Sequence, residues 1–134
     1  MENLYINHVA VFVCAVMSLL LGAIWWSPLL FQKPWQAETG LSDEQLSKFN
    51  PVRTFGLTLL LAWLMAYNLA FFLGSSGTTW RWGLAAGVLT AVWAAGMFIV
   101  IALFEQRSIK YILINCGYMI LYFALTGFIL GIWR

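Results

Sequence analysis

The sequence predicts an all-α membrane protein, a four-span antiparallel helix bundle with a short amphipathic helix between spans 1 and 2. Three observations carry this. Of 134 residues, 63% are hydrophobic and only 9% are charged, and the mean hydropathy is +0.86, far from the composition of a soluble domain. The charges are segregated, so that residues 3–32, 54–80, 82–104 and 111–133 carry none. Each stretch exceeds the roughly 20 apolar residues, rising 1.5 Å apiece, that cross a bilayer. The whole chain, 1–134, reads as one transmembrane domain.

Span 1 is expected over about 7–27. Met1 to His8 has no basic n-region, and the apolar run is too long for a signal peptide with no small-residue cleavage site behind it, so a permanent first span is expected. No lipidation motif is present, and attachment is expected by spanning alone. Trp25-Trp26-Ser27-Pro28 should end the span, because proline lacks a donor and disfavours helical geometry at the residue before it. Leu29 to Phe31 and Trp35 then read as interfacial material.

Within the polar connection, Ser42 and Gln45 have capping-box spacing and predict a short amphipathic helix over about 43–49. Its Leu46 and Phe49 share a face, which predicts a position on the membrane surface or against the bundle. Asn50-Pro51 supplies a cap and a first-turn proline for span 2, about 52–73. Gly74 to Thr79 is turn chemistry ending in hydroxyl caps. Spans 3 and 4, about 80–104 and 109–133, are joined so tightly that they must form a hairpin. Basic residues near span ends number five on the side of the long connection (Lys33, Lys48, Arg53, Arg107, Lys110) against Arg81 and Arg134. That bias predicts termini outside the cytoplasm.

Counting residues inward from the span ends places the polar groups by depth. His8, Asn68, Thr90 and Thr126 fall toward the termini, whereas Trp25, Thr58, Asn115 and Tyr118 fall toward the long connection. On span 4, Tyr111, Asn115, Tyr118, Tyr122 and Thr126 recur at spacings of three and four, one helical stripe that should face protein. Such a stripe either holds helices together, its commoner use in small bundles, or lines a pocket for a small amphiphile or headgroup. Trp25 and Thr58 are expected beside it. Small residues at Ala15, Ser18 and Gly22, at Gly83 and Gly87, and at Gly127 and Gly131 predict close helix packing. A Gly-lined face of span 3 or span 4 is expected to be left for a second copy, making a homo-oligomer.

Other chemistries are excluded by what the chain lacks. A net charge of +2 with no basic run gives no footprint for nucleic acid. A lone His8, and five acids of which three lie in the long connection, assemble neither a metal site nor a catalytic constellation. No Asp, Glu, Lys or Arg falls deep enough in a span to be membrane-buried and relay protons or couple ions. Neither a cofactor nor enzymatic activity is expected. Cys14 and Cys116 fall at different depths and read as buried hydrophobes rather than a disulfide.

Gly22-Ala23-Ile24-Trp25-Trp26-Ser27-Pro28-Leu29-Leu30-Phe31-Gln32-Lys33-Pro34-Trp35 resembles the opening signature of the family known as domain of unknown function 1761 (DUF1761). Phe104-Glu105-Gln106-Arg107, Ile114-Asn115-Cys116-Gly117-Tyr118, Gly127 and Trp133 resemble its closing pattern. Trp26 departs from it, standing where the family pattern has Tyr. The resemblance spans nearly the whole chain and implies a four-span fold in a bacterial inner membrane, with no established activity.

The functional expectation is a non-enzymatic module that binds or passes a small amphiphile or membrane lipid. Trp25, Trp26, Trp35, Arg107, Asn115, Tyr118 and Tyr122 are its expected binding residues, with Lys110 nearby. Aromatic walls with cationic neighbours at one membrane face suit an apolar body with an anionic head. The alternative is a structural or scaffolding subunit of a membrane complex with no small-molecule ligand.

Overall fold

The computed structural model describes residues 3–134; Met1 and Glu2, used in the signal-peptide reading, lie outside the described residues. Six helices follow in order: α1 His8–Trp25, α2 Gln32–Thr39, α3 Asp43–Ser47, α4 Pro51–Phe72, α5 Trp80–Phe104 and α6 Ile109–Ile132, with no strand among the described residues. Helices α1, α4, α5 and α6 are long and apolar enough to cross a membrane.

The first free N–H groups of a helix need an acceptor, most of all where water is scarce. Each long helix therefore opens on a polar cap. Asn7, Asn50, Thr79 and Ser108 accept from the backbone of Ala10, Arg53, Trp82 and Tyr111 respectively. Pro51 sits in the first turn of α4, where its missing donor costs nothing.

At the other end of α1 the helix stops at Trp25, and the backbone of Leu30 and Gln32 bonds back to the Ser27 carbonyl around Pro28. The chain then forms α2, an element that reading 29–35 as interfacial material did not anticipate. Its signals were present: Pro34 lies in its first turn, and Gly40 closes it in the left-handed region at φ 72°. The capping box of α3 is formed, with Ser42 Oγ accepting from Gln45 N at 3.2 Å and Gln45 Oε1 accepting from Ser42 N at 2.8 Å. This helix ends at Ser47, short of Phe49, because Asn50 must adopt extended backbone to cap α4.

Helix α6 is the hub. It packs against α5, α1, α2 and α4, and it is the most buried of the four long helices. Helix α4 packs on α1 and makes little contact with α5. The core is built from small residues, among them Ala10, Cys14, Ala66, Ala70 and Ala86, which let helix axes approach closely. Cys14 and Cys116 are both free and buried.

The Gly-lined faces do not remain for a second copy. Gly83 and Gly127 lie against each other's backbone, Gly87 lies on the Phe123 carbonyl, and a β-carbon on Gly131 would come within 2.9 Å of the Thr79 carbonyl oxygen. A glycine face consumed by the neighbouring span cannot also bind another chain through the same atoms. Within the long helices the open glycines are Gly56 on α4 and Gly96 on α5, neither with an atom near its missing side chain.

At the end of the fold where the termini meet the α4–α5 turn, the chain is tied down by polar contacts. Tyr5 N donates to Gly74 O at 2.9 Å. The Arg134 guanidinium donates to Leu73 O at 2.9 Å, to Leu130 O at 3.3 Å and to Ser75 O at 2.7 Å.

Candidate functional site

Trp25 and Trp26 close α1, and the turn at Pro28 brings α2 back over α6, which places Trp35 near them. Trp26 stands 4.5 Å from Tyr118 and 6.5 Å from Trp35 between ring centroids, and Tyr118 stacks on Tyr122 at 6.1 Å. Gly22 makes room for this, its bare backbone facing the rings of Trp26 and Tyr118. Trp25 packs its ring on Gly117, where a β-carbon would come within 2.7 Å of it. Five of the expected binding residues, Trp25, Trp26, Trp35, Tyr118 and Tyr122, thus gather at the α1–α2–α6 junction.

Their polar atoms are largely committed. Tyr118 Oη donates to Ser18 O at 2.8 Å and Tyr122 Oη to Cys14 O at 3.2 Å, both across to α1. Trp25 Nε1 donates back to Ile114 O at 2.8 Å. Asn115, buried, turns its Nδ2 onto Tyr111 O of its own helix. Such interhelical bonds are worth about 0.6 kcal/mol each, up to about 2. Trp26 Nε1 and Thr126 Oγ1 are buried without a hydrogen-bond partner among the described residues. Arg107 is set apart from this cluster: it pairs with Glu105 at 3.6 Å and lies over the Tyr111 ring at 5.2 Å. Thr58, expected beside the stripe, donates to Thr54 O on its own helix.

A groove of about 510 Å³ opens elsewhere, between α4 and α5. It exists because these two helices, consecutive in the chain, each pack inward on other partners and leave a gap. Leu69 and Phe72 of α4, Ala86 and Ala94 of α5 and Phe123 of α6 give it apolar walls. Asn68 and Thr90, which sequence depth placed toward the side of the termini, both line it, as does Trp93. Sequence reading missed the groove because helix neighbours, not residue types, create it. Across its end nearest the α4–α5 turn, Phe72 and Trp82 meet with ring centroids 6.0 Å apart. A volume within the usual 300–1,000 Å³ of ligand pockets, with apolar walls and few polar groups, can hold the hydrocarbon part of an amphiphile. Among the described residues no three His, Cys, Asp or Glu side chains gather as metal ligands.

A family model described as protein of unknown function (DUF1761) matches residues 9–131. No curated protein and no solved structure matches the chain.

Proposed function

Since the chain belongs to the DUF1761 family of proteins of unknown function, we propose its role from its own geometry: a non-enzymatic membrane module that binds or passes a small amphiphile or lipid. The observation that carries this is the α4–α5 groove, roomy, apolar-walled and set among helices able to cross a membrane. The aromatic junction of Trp25, Trp26, Trp35, Tyr118 and Tyr122 then serves as the clamp that fixes α1 to α6, since its hydroxyls and the Trp25 N–H already hold backbone carbonyls.

The setting belongs to the same proposal. The four long helices cross the inner membrane of a bacterium in alternating directions, with α2 and α3 at its cytoplasmic surface and the termini outside. The tight α5–α6 connection and the five-to-two bias of basic residues support this arrangement. Single cysteines at residue 45 and at the C-terminus, in a chain with Cys14 and Cys116 replaced, test it by labelling from either side. Reactivity of the C-terminal site from the cytoplasm reverses the orientation.

Native mass spectrometry of gently purified protein, with lipid extraction, tests the function. An amphiphile that co-purifies with the wild type and is lost when Ala94→Phe fills the groove supports binding there. Loss on Tyr118→Phe, with retention in Ala94→Phe, returns the site to the aromatic junction. A stoichiometric protein partner with no small molecule establishes the scaffolding role instead.

A further inference from the structure

Resting on the α4–α5 groove as the ligand site, we infer that its occupant is a single-chain amphiphile whose polar group is uncharged and sits below the membrane surface: a hydroxyl borne by a long hydrocarbon chain.

The groove is not uniformly apolar. Asn68 is exposed, and its Nδ2 donates one bond to Leu64 O at 2.9 Å. One N–H and the Oδ1 of that carboxamide are left without a partner among the described residues. Counted from Phe72, the last residue of α4, Asn68 lies about 6 Å inward along the axis. Thr90 donates to Ala86 O at 2.8 Å and keeps only acceptor capacity. Trp93 is 83% exposed and lies about 20 Å along α5 from Trp80. That is mid-helix, remote from the ends where tryptophan satisfies both its ring and its N–H. An amide and an indole facing hydrocarbon are costly without partners. A ligand hydroxyl at Asn68, bringing one acceptor and one donor, removes the cost of that amide, whereas a bare hydrocarbon does not; Trp93, about 14 Å deeper, lies along the hydrocarbon part instead.

Charge settles the class of head. None of the side chains lining the groove is charged. Of the basic residues at that end, Arg134 is spent on three backbone carbonyls and Arg81 lies over the ring of its neighbour Trp80 at 5.4 Å. Where Phe72 lines the groove toward the α4–α5 turn it meets Trp82, so the rim on that side is aromatic and uncharged. An anionic headgroup would find no cation inside, and a neutral hydroxyl needs none.

The test uses the full chain in neutral-lipid nanodiscs with a photoreactive hexadecanol carrying a mid-chain diazirine. Labelled positions are mapped by peptide mass spectrometry, with unlabelled hexadecanol, hexadecane and hexadecyl phosphate as competitors. The expected result is labelling within 65–72 and 86–94, displaced by hexadecanol and much less by the other two. Asn68→Leu should weaken that displacement about 3- to 10-fold, the effect of one lost hydrogen bond, and Asn68→Gln should largely restore it. Because Asn68 is exposed, both variants should keep the wild-type melting temperature. Equal displacement by hexadecane overturns the buried polar head but leaves the groove as a hydrocarbon site. Strongest displacement by hexadecyl phosphate overturns the neutral class. Labelling confined to other segments, or cross-links joining α5 of two copies in place of labelling, overturns both this inference and the groove as ligand site.

Discussion

Gly83 of α5 and Gly127 of α6 face each other so closely that a β-carbon on either would overlap the other's carbonyl oxygen. That relationship is reciprocal, and it binds the last two helices by backbone contact with no side chain between them. Van der Waals packing takes over where a bilayer offers no hydrophobic drive between helices.

Substitution at this contact should therefore damage the fold. Gly127→Ala should cost about 1–3 kcal/mol, the usual penalty for overpacking, and Gly127→Leu should abolish the α5–α6 pair. Unfolding in mixed detergent micelles measures the first. A Gly127→Leu protein that unfolds like wild type but changes its oligomeric mass would show that the face belongs to an interface between copies.

The α1–α6 clamp predicts a graded loss. Removing one hydroxyl, as in Tyr118→Phe or Tyr122→Phe, should destabilise by about 0.6 kcal/mol and no more than about 2. The rings remain to pack, so the effect is that of the hydrogen bond alone. The same unfolding titration on the two single variants and the double variant gives the values; no change in either would mean the bonds to Ser18 and Cys14 carbonyls contribute nothing.

Arg134 should govern the order of the α4–α5 turn. Its guanidinium bridges Leu73, Ser75 and Leu130 carbonyls, two of them at helix ends that lack intrahelical partners. Arg134→Gln should speed amide hydrogen exchange in residues 73–79 while leaving the α1–α6 junction protected. Unchanged exchange in that turn would contradict the role.

Gln106 offers a gain. It is the one non-glycine residue at positive φ among the described residues, at 57°, in the tight turn after α5. A side chain there costs about 1–2 kcal/mol relative to glycine, so Gln106→Gly should stabilise the protein by about 1 kcal/mol after the added flexibility of the unfolded chain is counted. Lowered stability would place a needed contact on the Gln106 side chain.

What the sequence determined by itself was everything that depends on one stretch of chain. Long uncharged apolar runs can satisfy their backbone only as helices in a bilayer, and Asn50-Pro51, Ser42 with Gln45, and the hydroxyl at Thr79 mark helix starts because each cap is a bond within four residues. Residues at spacings of three and four on α6 share a face whatever surrounds them, which is why the Tyr118 and Tyr122 stripe was legible. Which partner each face meets was decided by the tertiary structure alone. Whether Gly83 touches Gly127 of the same chain or of another, and whether Asn68 faces a neighbour or an open groove, depends on which helices pack together. That choice is made by the fit of whole surfaces, summed over many weak contacts, and no local pattern of residues encodes it.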